Sequence, residues 1–374
     1  MLYTVRKNCI GFFQKETVLS IAILLALVSC LAVPPSLDYV SYIDWNTLAL
    51  LFSLMAVMQG VQKAGLFVYL GDRLLKRAAT TRRMLFVLVF LPFVCSMVIT
   101  NDVALITFIP FTFTVLRLAG QERLLVPLVG MQTVAANLGS MLTPMGNPQN
   151  LYLYSKSGMG FGDLCALMLP YILISACCLA VLILARKSVP TEKPPALTDL
   201  GSHKLLLGCG AGFLICLFGI FKVIPPLAIA AAVVLVLLVA DRSLLAGVDY
   251  SLLGTFVAFF IFIGNLGCIE VFQTFFLSIL SGHVEVVAVL ASQVISNVPA
   301  ALLLSGFTCQ WPDLIVGCNL GGLGTLIASM ASLISYKLVV KEYPAQRKRY
   351  FVWFSLCNVG LLAILLGANL LLIG

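Results

Sequence analysis

Charge is what this sequence has least of. Only 10% of its 374 residues are Asp, Glu, Lys or Arg, while 61% are hydrophobic. A soluble domain carries about 25% charge, so too little polar surface exists to cover a water-soluble body of this size. Soluble enzymes, nucleic-acid binders, disordered chains and secreted scaffolds all fit poorly. Histidine is nearly missing, with only His203 and His283. Neither H-E-x-x-H nor G-x-S-x-G occurs, which leaves a membrane-embedded enzyme as the weaker rival class. Without a Gly-Lys dipeptide there is no P-loop, so this chain alone is not a primary pump; a partner ATPase stays open. The twelve cysteines form no C-x-x-C pair and lie mostly in apolar runs, as small hydrophobes do. The net charge of +8 sits in short clusters between those runs, the pattern of membrane loops and not of a nucleic-acid face.

About 20 apolar residues cross a hydrocarbon core as a helix. The runs 17–33, 46–69, 124–155, 164–185, 205–221, 223–240, 250–277, 314–336 and 350–373 predict about nine crossings. The first follows Arg6, Lys7 and Lys15; Pro34-Pro35 replaces a small-x-small cleavage pattern, so it is expected to be a retained helix. Positive-inside places the N-terminus in the cytoplasm and the C-terminus outside.

Two apolar stretches do not fit as single spans. In 84–116, basic residues bracket both ends, and two arms of about 15 residues meet at Thr100-Asn101-Asp102. Each arm reaches roughly 23 Å, short of a 30 Å core. A re-entrant hairpin fits, and so do two short spans with an external loop. In 286–312, arms of about 10 to 13 residues flank Ser296-Asn297-Val298-Pro299 and are too short to cross. With both as hairpins, nearly every basic cluster falls on one side.

The chain also repeats itself. Ile43-Asp44-Trp45 resembles Val248-Asp249-Tyr250, Thr100-Asn101 resembles Ser296-Asn297, and Asn137-Leu138-Gly139 resembles Asn319-Leu320-Gly321. The last match continues without a gap through Thr143 and Thr325 to Tyr154 and Tyr336. An extra span makes the second copy start on the opposite side, the inverted-topology build of many secondary transporters. The expected organisation is an N-terminal repeat over 1–187 with hairpin 84–116 and broken helix 124–155. A cytoplasmic linker over 188–202 follows, then an inverted repeat over 203–374 with hairpin 286–312 and broken helix 314–336. The fold class is an all-α polytopic membrane protein.

Helices can be interrupted at membrane depth only where freed backbone faces protein, water or ions. Pro144 and Pro148 interrupt the segment Asn137–Asn150, and Gly139 and Gly146 relax it. Gly321-Gly322-Leu323-Gly324-Thr325 does the same in the second copy. A kinked helix packed through small residues is the plainer alternative. Unwound backbone with Asn, Ser and Thr side chains offers carbonyls to a cation and N–H groups to an anion. Candidate substrate contacts are therefore Thr100, Asn101, Ser140, Thr143, Asn147, Asn150, Ser296, Asn297, Thr325 and Ser329. Asp102 is the carboxylate placed at membrane depth, where charge is costly and by default functional. It leads the coupling-ion candidates, with Gly139, Gly146 and Gly322 as carbonyl donors; its alternative is an ordinary loop aspartate. Lys63 and Glu270 are expected to snorkel or pair locally. No Arg or Lys lies near a break, so a small anionic solute would rely on dipoles and a co-bound proton or sodium ion. No metal or cofactor is implied.

The Asn-Asp tip, Leu-Thr-Pro-Met-Gly-Asn-Pro-Gln-Asn, Ser-Asn-Val-Pro and Gly-Gly-Leu-Gly-Thr resemble motifs of the ion-transporter superfamily. That superfamily includes citrate and dicarboxylate symporters, the arsenite-efflux membrane subunit and a sodium/proton antiporter group. The likeness runs from about residue 40 onward and is nearest to the YbiR-like bacterial inner-membrane permeases. It implies a secondary transporter with a mobile transport domain of hairpins and broken helices, set in a homodimeric scaffold among membrane lipids. Dicarboxylate carriers have Ser-Asn-Thr at both tips, whereas here they are Thr-Asn-Asp and Ser-Asn-Val. A hydroxyl is lost and a carboxylate added, so arsenite-type export and antiport stay open beside anion uptake. A channel fits less well than alternating access.

Overall fold

A computed structural model describes residues 16–76, 78–190 and 200–373. Arg6, Lys7, Lys15, Arg77, Lys193 and most of the expected linker (191–199) lie outside the described residues. Within them the chain is helical throughout, as the composition requires of a body in lipid. It is an all-α polytopic membrane protein. Six helices are long and apolar enough to cross a membrane, or up to eight if two bent pairs each count once. That is fewer than the nine expected: the runs 17–33 and 223–240 form helices of only 13 and 15 residues, 46–69 is bent, and 314–336 is broken into helices of 10 and 13 residues, while the hairpin helix 101–118 joins the count.

The elements, in order, are α1 (Thr17–Ser29), α2 (Asp38–Tyr42), α3 (Trp45–Lys63), α4 (Leu66–Leu75), α5 (Thr81–Cys95), α6 (Asn101–Leu118), α7 (Leu125–Gly139), α8 (Pro148–Ser157) and α9 (Phe161–Leu184). There follow α10 (His203–Ile220), α11 (Pro226–Ala240), α12 (Ser243–Ala246), α13 (Tyr250–Gly267), α14 (Glu270–Leu280), α15 (Val284–Ile295), α16 (Asn297–Ser305), α17 (Trp311–Leu320), α18 (Met330–Glu342) and α19 (Arg347–Ile373).

The repeated sequences occupy matching places. Asp44 caps α3 by accepting from Thr47 N at 3.0 Å, and Asp249 caps α13 by accepting from Leu252 N at 2.9 Å. Each capped helix is followed by a short amphipathic one, α4 or α14. The expected spans 46–69 and 250–277 are therefore not continuous. The first turns by 49° into α4 at Gly65, whose φ of 71° suits glycine. The second ends at Gly267, and α14 meets α15 at 114°. Glu270 accordingly begins a separate helix instead of lying toward the end of a span. Lys63 pairs locally as expected, donating to Asp241 at 2.6 Å and Ser243 at 2.8 Å. Those contacts hold the half-buried Asp241 carboxyl low, at about 2.

Every residue of α7 is buried. It packs against α5, α6 and α19, making it the axis of one half. Gln132 in that helix donates to Leu88 O and Thr112 Oγ1, both at 2.7 Å, binding the α5–α6 pair to it. Outside this half, α3 packs against α10 and α11, and α1 against α13.

Candidate functional site

Four discontinuities meet at one place: the α5–α6 turn, the α7–α8 break, the α15–α16 turn and the α17–α18 break. The first turn differs from expectation. Its bend lies over 96–100, while Asn101 and Asp102 already belong to the first turn of α6, behind an extended Thr100 (φ −66°, ψ 147°). The helix gains residues at its start and reaches 18, so by length it could cross a membrane alone.

Asn137, at the end of α7, is the hub of the first break. Its Oδ1 accepts from Asn101 Nδ2 at 3.0 Å and from Ser329 Oγ at 3.1 Å, and its Nδ2 donates to Ser332 Oγ at 3.2 Å. Asn319, the matching residue of α17, does the same in reverse. Its Oδ1 accepts from Asn147 Nδ2 at 3.3 Å, and its Nδ2 donates to Asn150 Oδ1 at 2.6 Å. Asn147 and Asn150 are the sequence counterparts of Ser329 and Ser332. Each half-helix end thus reaches across to the opposite repeat with the same donor and acceptor assignment. The halves are cross-braced through a buried polar knot.

The threonines match as well. Thr143 Oγ1 donates to Met97 O, and Thr325 Oγ1 donates to Gln293 O at 3.2 Å. Thr143 ties its break to the bend of the first hairpin, and Thr325 ties its own to an arm of the second. Thr143 is buried and Thr325 exposed. Asn147 Oδ1 caps α8 at Asn150 N (2.8 Å), and Asn150 Nδ2 donates to Met141 O at 3.0 Å. Ser140 Oγ donates to Asn137 O at 2.8 Å. The candidates Ser140, Asn147 and Asn150 are thus spent on shaping the break.

At the second tip, Asn297 N donates to Ala328 O at 2.9 Å, and Ser296 adopts a φ of 75° without being glycine. Such a conformation costs about 1–3 kcal/mol and persists where its surroundings over-determine it. Gly322 is held so close that a Cβ would stand 2.8 Å from Asn297 Nδ2, and one on Gly146 would stand 2.1 Å from Ser140 O. Gln293 was not foreseen. Its amide donates to Gly321 O and Leu323 O, both at 2.9 Å, and its Oε1 accepts from Thr325 N at 2.9 Å, so one side chain clamps the unwound strand.

Thr100 and Asp102 face a cavity of about 650 Å³. It lies between α3 (Leu54, Met58, Gln59) and the first hairpin, with Met145, Pro148 and Met330 from the breaks on its wall. Glu16, Asp102 and Asp249 line it, and no Lys or Arg does among the described residues. Asp102 Oδ1 is buried there without a hydrogen-bond partner among the described residues.

A polytopic helical membrane protein with a polar centre built from interrupted helices is the class these features define. Residues 13–308 match the citrate transporter family, and the chain belongs to that family of membrane transporters. It is 34% identical over 327 residues to an uncharacterized transporter of Methanocaldococcus jannaschii, covering 86% of this chain and 87% of that one. It is 33% identical over 344 residues to the inner membrane protein YbiR of Escherichia coli, covering 88% of each. A 46 kDa membrane protein of Mycobacterium leprae is 25% identical over 343 residues.

Proposed function

We propose that the chain is a secondary active transporter of a small anion, a carboxylate or inorganic oxyanion, coupled to protons or sodium. The observation that carries this reading is the buried Asp102 oxygen on the cavity wall, which has no hydrogen-bond partner among the described residues. A buried acceptor left unmet costs roughly 1–3 kcal/mol, more when charged, and a proton or sodium ion removes that cost. Three lining carboxylates, with no base among the described residues, repel a free anion, so the cation binds first and the anion follows against Thr100 and the adjacent tip. An elevator motion fits the seam. Many hydrogen bonds knit the hairpins to the broken helices, whereas between the first hairpin and α3 the cavity intervenes and Gln62 Nε2 donates to Thr107 Oγ1 at 3.0 Å. In this reading both hairpins re-enter from opposite faces of an inner membrane, the N-terminus is cytoplasmic, and two copies pair through the scaffold. The same acidic lining favours, as a second reading, sodium/proton antiport or metalloid efflux.

Asp102→Asn keeps the shape but can neither exchange a proton nor neutralise sodium. One charge across 100 mV supplies about 2.3 kcal/mol, and a tenfold gradient needs about 1.4 kcal/mol. In proteoliposomes the variant is expected to exchange labelled solute down its gradient while losing accumulation driven by an imposed proton or sodium gradient. Wild-type uphill transport by the variant would remove Asp102 from coupling.

A further inference from the structure

A second cavity, of about 480 Å³, opens at the meeting of three helix ends. Val126 and Pro127 start α7, Arg186 lies just past α9, and Lys348 and Arg349 start α19; all line it together with Trp353. Arg186, Lys348 and Arg349 take part in none of the ion pairs among the described residues, which join Lys63, Lys76 and Arg117 to carboxylates. A further cation is close, since Arg82 Nη2 donates to Arg186 O at 2.9 Å. The Arg186 guanidinium stands 5.0 Å over the Trp353 ring centroid. The indole Nε1 is buried and has no acceptor among the described residues. The indole lies against α7 where residue 130 is glycine; a Cβ there would stand 2.8 Å from its Cδ1.

Cations with no ion pair and an indole N–H with no acceptor among the described residues, beside an apolar wall of Val126, Val352 and Leu356, make a two-part receptor. Guanidinium forks match phosphate oxygens, an indole suits the boundary of headgroup and acyl chain, and Lys or Arg near an anionic leaflet attracts it. We propose that this cavity binds the phosphate headgroup of an anionic phospholipid, with one acyl chain along α19, so that lipid rests directly on the fully buried axis helix α7.

The chain has three tryptophans, so Trp45→Phe with Trp311→Phe leaves Trp353 as the sole reporter. Quenching by brominated phosphatidylglycerol, diluted into unlabelled phosphatidylcholine, is expected to half-saturate at about tenfold lower mole fraction than quenching by brominated phosphatidylcholine. Adding Lys348→Gln and Arg349→Gln should abolish that preference while leaving phosphatidylcholine quenching intact, which also reports a folded, lipid-exposed chain. Native mass spectrometry of the unaltered chain should show the same preference in retained lipid. Equal quenching by both lipids and no selective retention would overturn the proposal. Loss of the preference on adding millimolar inorganic phosphate would also overturn it, assigning the site to a soluble anion.

Discussion

Gly139 shows how little room the centre leaves a single residue. A Cβ on it would stand 2.0 Å from Phe93 O and 2.5 Å from Ser96 Oγ. A backbone carbonyl cannot swing aside as a side-chain tip can, so α5 would have to move off α7. Overpacking of this kind costs about 1–3 kcal/mol, and Gly139→Ala is expected to melt lower by a matching amount in detergent. Gly162, with open space at its Cβ, is the control; Gly162→Ala should leave the melting temperature nearly unchanged. At this scale the sequence was legible where residues came in pairs. Thr143 and Thr325 stood out by their matching positions, yet their hydroxyls go to hairpin carbonyls, because an unwound strand has backbone groups to satisfy before any solute arrives. Gln293 was invisible. A glutamine in an apolar run carries no signature, and its partners at Gly321 and Leu323 lie about thirty residues ahead in the chain.

Half-helices ending at Asn137 and Asn319 owe their mutual placement to the reciprocal amide bonds. Deleting one partner strands buried groups of the other repeat, at roughly 1–3 kcal/mol each. A double-mutant cycle on Asn137→Ala and Ser329→Ala should return a coupling of about 0.5–1.5 kcal/mol in thermal or denaturant unfolding. A cycle pairing Asn137→Ala with the remote Ser41→Ala should return none. The breaks themselves were readable, since proline and clustered glycine cannot sustain a helix at the α7–α8 and α17–α18 junctions. The amphipathic α14 was not, because Cys268 and Ile269, which separate it from α13, prolong the apolar run. Nor was the true bend of the first hairpin, as the polar Thr-Asn-Asp triplet marks the end of the turn that Ser96–Thr100 makes and the start of the next helix, not the turn's centre.

For the molecule as a whole, the proposed reading has the two hairpins open to opposite faces. Thr114 is near the C-terminal end of α6 and Val284 starts α15. Cysteines placed there, in a background freed of native thiols, should react with an impermeant reagent from opposite sides of sealed vesicles, Thr114→Cys from the cytoplasmic side. Labelling of both from one face would collapse the inverted arrangement. The all-helical membrane class was legible throughout, because composition dictates it. The acidic cavity was not: Glu16, Asp102 and Asp249 are far apart in sequence, and only packing brings them onto one wall.

The reciprocal bracing has a genetic consequence. Because Asn137 meets Ser329 and Ser332, while Asn319 meets Asn147 and Asn150, a lesion in one half of the gene is expected to be suppressed by changes in the other. Revertants of a substitution at Asn137 would gather at codons 329 and 332, and those of Asn319 at codons 147 and 150. A half exchanged with a distant relative would bring its own amide and hydroxyl pattern, and the chimera is expected to fail unless both contact pairs fit the resident half.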